Sequence, residues 1–162
     1  MNAIFAAIEQ TPLSIWMRDD GYAYFLALIF HALGMALLIG AGIVVSLCML
    51  GAARGVELDR IGGFFRVMAA GAILASLSGL LLLVGYPAKA LTNPVFGVKL
   101  ACLIAATLLM RAAARRLLRT DPQRAQSRPG GRTMAALALL LWLAAVAAGK
   151  LLLHTATVLT VT

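Results

Sequence analysis

Carboxylates are scarce in this chain: Asp and Glu together number six in 162 residues, and none falls within residues 22–50, 61–84, 95–115 or 133–158. Only 12 % of the residues are charged while 62 % are hydrophobic, and a soluble domain carries about twice that charge. A water-soluble globular fold is thereby excluded. Without an acid in the apolar stretches there is no carboxylate relay of the kind proton-coupled carriers use, and no inverted repeat suggests a solitary transporter. Cysteine is equally sparse. Cys48 and Cys102 stand alone in apolar runs without CxxC spacing, which excludes a disulfide framework or zinc site and leaves two small buried hydrophobes. No Walker loop, GxGxxG turn, GxSxG elbow or HExxH pair occurs, so the chemistries those motifs carry are not indicated. Residues 1–10 lack a basic start and contain Glu9, unlike a secretory signal.

What the chain has is apolar length. Four runs, at about 22–50, 61–84, 95–115 and 133–158, are long enough to cross a bilayer. They predict an all-α fold, a four-transmembrane-helix bundle forming a single membrane domain over residues 1–162. Ahead of it, residues 1–20 mix apolar and polar positions, are broken by Pro12 and carry Trp16. That composition predicts a short interfacial N-terminal helix. Gly34, Gly40 and Gly42 in the first run, and Gly71, Ala75, Ser78 and Gly79 in the second, are small residues where helices approach closely. Gly85-Tyr86-Pro87 ends the second helix and Asn93-Pro94 starts the third. Ala112 to Leu118 are good helix formers that prolong the third helix beyond its apolar part until Asp121-Pro122 stops it.

The net charge of +8 comes from 14 basic residues. Seven of them are arginines between Arg111 and Arg132. A cluster placed between two apolar runs is a cytoplasmic loop facing anionic lipid, here 116–132, and not a nucleic-acid surface. The loop after the first run adds Arg54 and Arg60, whereas the opposite side holds only Arg18 and Lys89. The excess predicts an N-out, C-out multi-pass protein. Its partners are the lipid bilayer and, through its small-residue faces, further copies of itself or other membrane subunits.

With that orientation four basic side chains share one layer of the outer leaflet. His31 lies about 13 Å below the outer end of its span and His154 about 6–12 Å below the end of the fourth, at 1.5 Å per residue. Lys99 sits about one turn into the third span, and Lys150 one turn before His154 on the same helix face. Ionisable groups are costly at such depth and point to function. Haem b suits the set: His31 and His154 as axial ligands on facing helices, Lys99 and Lys150 paired with propionates, Gly34 and Gly149 leaving room for the ring edges. A quinone or an anionic headgroup held by one histidine and one lysine uses the same layer. Plainer roles are a His31 hydrogen bond to a neighbouring helix backbone or serine, an interfacial His154 and snorkelling lysines. The residues therefore predict a membrane-embedded electron-transfer subunit, with a cofactor-free accessory or assembly subunit and a lipid or small-anion binder as alternatives.

Three motifs carry a family resemblance: His31-Ala32-Leu33-Gly34 with Gly40, Asn93-Pro94-Val95-Phe96-Gly97-Val98-Lys99-Leu100, and Leu141-Trp142 with Gly149-Lys150. Together they resemble a family of small, uncharacterised bacterial four-helix membrane proteins. The resemblance implies a place in the bacterial cytoplasmic (inner) membrane and directs functional interest to His31, Lys99 and Lys150; His154 lies outside it. In architecture the chain also looks like small di-histidine membrane cytochromes.

Overall fold

The structure, a computed structural model, describes residues 2–52, 58–119 and 129–158. Two short helices, α1 (Asn2–Glu9) and α2 (Pro12–Asp19), precede four long ones: α3 (Gly21–Leu50), α4 (Leu58–Gly85), α6 (Pro94–Arg119) and α7 (Pro129–Val158). A single turn, α5 (Pro87–Leu91), links α4 to α6. Each long helix contains an apolar segment of 20 to 30 residues, enough for a hydrocarbon core about 30 Å thick. This is an all-α bundle of four membrane-length helices preceded by short N-terminal helices.

Local chemistry sets the ends. Thr11 caps α2 through a bond from the Ser14 amide, and Pro12 occupies its first turn, where no amide is needed. Asp20 caps α3 by accepting from the Tyr22 and Ala23 amides. At the other end of α3, Gly51 adopts φ 79°, and the Gly51 and Ala52 amides donate to the Cys48 and Leu47 carbonyls. That is the Schellman stop, which favours glycine because it is left-handed. Asn93 opens α6 by accepting from the Val95 amide at 2.9 Å. The Arg18 guanidinium donates to the Glu9 carbonyl at 2.5 Å, tying α2 to α1.

The long helices extend past the expected boundaries where flanking residues favour helix. The third reaches Arg119 and the fourth begins at Pro129. The segment between them is therefore shorter than 116–132 on the described ends, and residues 120–128 lie outside the described residues.

Packing is uneven in an informative way. α3 and α4 lie antiparallel along most of their length, α6 pairs with α7, and α3 joins the pairs by packing on α7. The first and fourth spans are thus neighbours. The second and third, although consecutive, share no extensive interface among the described residues. The main core joins Leu38, Val45, Cys48 and Met49 to Ala106, Met110, Ala135, Ala138 and Trp142. Trp142 is its anchor: fully buried, its indole occupies the notch left by Gly42, where a methyl group would stand 2.6 Å from Cε2. Ser46 Oγ donates to the Gly42 carbonyl at 2.8 Å and lies 3.9 Å from Met110 Sδ, so α6 is engaged at this level too. A separate small cluster of Met17, Ala23 and Ala27 holds α2 and α3 together toward the other end, with Leu82 of α4 against it. Cys48 is buried and Cys102 is half-buried; both are free thiols.

The α3–α4 pair is close because glycines replace side chains. A methyl group at Gly34 would stand 2.5 Å from the Ala75 nitrogen, and one at Gly71 would stand 2.5 Å from the Leu38 nitrogen. Backbone therefore meets backbone, as small residues permit inside a membrane. Gly34 is filled by α4 and leaves no space for a cofactor edge.

Candidate functional site

The Gly34–Ala75 contact positions His31 one turn away on α3. There the imidazole Nδ1 lies 3.0 Å from the Ala75 carbonyl oxygen. A carbonyl only accepts, so Nδ1 carries the hydrogen. Ser78 Oγ donates to the Leu74 carbonyl at 2.6 Å, its short bond, and stands 3.4 Å from Nδ1 as a secondary acceptor. Nε2 has no hydrogen-bond partner among the described residues. In a neutral imidazole with Nδ1 protonated, Nε2 is a lone-pair acceptor or metal ligand, with its orientation fixed by the Nδ1 bond.

Gly79 makes this posture possible. A methyl group there would stand 3.1 Å from His31 Cε1 and 3.3 Å from Nδ1. The ring lies against the α4 surface, tied there by its Nδ1 bond. Gly79→Ala is expected to push the ring by a few tenths of an ångström and lengthen the Nδ1 bond. We expect a loss of affinity for any ligand of Nε2 of about threefold to tenfold, using about 1 kcal/mol for a net hydrogen bond. The thermal midpoint should stay within a few degrees, because alanine is the better helix former. Titration of ligand into wild-type and variant protein checks both.

The second basic group arrives from α6. Lys99 is half-buried, and its Cε lies 3.9 Å from where a methyl group on Gly149 of α7 would be. Its side chain thus runs along the α7 glycine into the bundle and not out to lipid. The Gly42–Trp142 contact gives the relative heights of Lys99 and His31. Gly149 is seven positions beyond Trp142 and His31 eleven beyond Gly42, or about 10 and 17 Å toward the same end. Lys99 therefore reaches the layer about one turn deeper than His31. Residues 22–50, 61–84, 95–115 and 133–158 hold no Asp or Glu; Ala75, Ser78 and Gly79 face His31 from α4, and among the described residues no group of three His, Cys, Asp or Glu could hold a metal.

The other two candidates are placed differently. Lys150 is exposed on the bundle surface. His154 is twelve positions beyond Trp142, hence at nearly the height of His31 by the same count; its side chain lies outside the described residues. His31 and Lys99 thus lie about one turn apart in height, and Lys150 is exposed. Sequence reasoning did not find Gly79 as the bed of the imidazole, nor Gly42 and Trp142 as the joint that sets the heights. The spacing of Ser78-Gly79 behind Ala75 on one helix stripe was the available signal. A recess of about 800 Å³ lined by Pro12, Ile15, Trp16, Asp19, Asp20, Gly21 and Tyr22 opens at the α2–α3 turn. It is formed around exposed residues at the start of α3, more than two turns from His31.

Compared with known proteins, the chain matches no family model, no curated protein and no solved structure. The family resemblance rests on the three motifs alone, and the architecture stands by itself as an all-α protein with four membrane-length helices.

Proposed function

We propose that the chain is a membrane-embedded electron-transfer subunit that holds a redox ligand in the outer leaflet between His31 and Lys99. One observation carries the reading: an imidazole fixed through Nδ1, with Nε2 unengaged among the described residues, stands about one turn in height from an inward-directed lysine, in spans that hold no carboxylate. A ligand with an oxygen or a metal to offer meets both groups. A quinone headgroup fits as a hydrogen-bonded ligand of His31 Nε2 and Lys99 Nζ. Haem b is the second reading, supported by the matched heights of His31 and His154; it would supply a reversible one-electron iron couple. There Lys99 and Lys150 would neutralise propionates. Electrons would enter and leave through partner subunits or a second copy, for which the exposed apolar faces of α3 and α6 offer area. The arginine-rich end of α6 would face the cytoplasm and both termini the outer side, in a bacterial inner membrane.

The test is chemical. Protein purified in mild detergent is extracted with acid and organic solvent, and haem and quinone are counted per chain. About one redox ligand per chain is expected, falling to a small residue in His31→Ala. No ligand of either kind after expression with ample supply would refute the proposal and favour an accessory or assembly subunit.

A further inference from the structure

Resting on that reading, we infer that the ligand is a lipid-tailed quinol, bound by a hydroxyl hydrogen bond to His31 Nε2 with its ring oxygens facing Lys99. With the imidazole neutral, the Nδ1 bond to the Ala75 carbonyl leaves Nε2 as the acceptor, so the group opposite it must bring a hydrogen. Lys99 has only donors, so the group opposite it must bring a lone pair. A phenolic ring carrying hydroxyl oxygens supplies both within one rigid headgroup. A lipid phosphate carries acceptors alone when fully ionised and would set an oxygen against the Nε2 lone pair.

Height separates the quinol from haem. Propionates pair most readily near the aqueous surface, but the Lys99 chain reaches toward Gly149, about one turn deeper than His31. A basic group on the membrane-centre side of the imidazole suits a headgroup that enters flat from the lipid. The route is consistent with the packing: among the described residues α4 and α6 share no extensive interface, so an isoprenoid tail can leave between them. The absence of carboxylates in the four spans leaves the Lys99 charge to stabilise the ligand's oxygen and not an internal ion pair.

Calorimetric titration of the purified protein in micelles, without oxygen, uses a short-tailed benzoquinol and the dimethyl ether of the same ring. The quinol is expected to bind saturably at about one per chain, and the ether at least tenfold more weakly because it lacks the hydroxyl hydrogen. Lys99→Met and His31→Ala should each weaken the quinol at least tenfold, a loss in line with a charge-assisted or buried hydrogen bond, while Lys150→Met stays within about twofold. Equal affinity for quinol and ether in the wild-type protein overturns the inference without depending on how any variant folds. Stoichiometric haem in the protein as purified also overturns it, while leaving the redox-ligand reading intact. Protein that holds no haem and binds no quinol removes both.

Discussion

Trp142→Ala is expected to destabilise the bundle by about 3–5 kcal/mol, the range for deleting a fully buried tryptophan. Trp142 is 0 % exposed and joins α3 to α7 through the Gly42 notch. Because α3 is the helix that links the α4 half to the α6–α7 half, the cavity opens at the joint between halves. At about 2–4 °C per kcal/mol for a chain of this size, the midpoint of thermal unfolding in detergent should fall by roughly 6–20 °C. Trp142→Phe should cost less. The indole Nε1 is buried with no hydrogen-bond partner among the described residues, so phenylalanine removes an unsatisfied donor along with the ring it deletes. If the two variants unfold together with wild type, Trp142 is not the joint.

Gly34→Ala carries the second large effect. Its methyl group would stand 2.5 Å from the Ala75 nitrogen and 2.9 Å from the Ala75 Cα. Both are backbone atoms of a helix and cannot rotate away, so α3 and α4 must separate. Overpacking of this kind costs about 1–3 kcal/mol, a fall in midpoint of roughly 2–12 °C. The same separation would carry the Ala75 carbonyl away from His31, so ligand binding should fall as well. Gly40→Ala is the internal control. Nothing lies within 4 Å of a methyl group there, and the gain in helix propensity of about 1 kcal/mol should leave it neutral or slightly stabilised. Thermal unfolding followed by circular dichroism of the three proteins decides the matter.

Much of this fold could be read from residue patterns because the bilayer imposes simple demands. Long apolar runs had to be helices, since unpaired backbone groups are not tolerated in lipid. Pro12, Gly85-Tyr86-Pro87 and Asn93-Pro94 then punctuated them almost where the helices end. The Gly34 and Gly71 faces were legible as places of close approach, and the structure fills them with neighbouring backbone. Gly40 carries the same small side chain yet is exposed, because composition gives no rotation of a helix about its axis. The same ignorance blurred the site. That His31 could meet a serine or a backbone carbonyl was a stated alternative, and it meets both, at Ser78 and Ala75. That role does not compete with ligand binding, because it occupies Nδ1 and leaves Nε2. Lys99 and Lys150 looked equivalent by depth. They differ because Gly149 gives Lys99 a seat inside the bundle while Lys150 lies on the exposed side of the same helix.

The most direct test of a redox ligand held at His31 is a reduced-minus-oxidised difference spectrum, ultraviolet through visible, of purified wild-type protein beside His31→Ala. The account predicts a redox-active absorbance in wild type, of quinone or haem character, that is lost in the variant while its helical circular dichroism is retained. A featureless wild-type spectrum, or one that His31→Ala leaves unchanged, would contradict it.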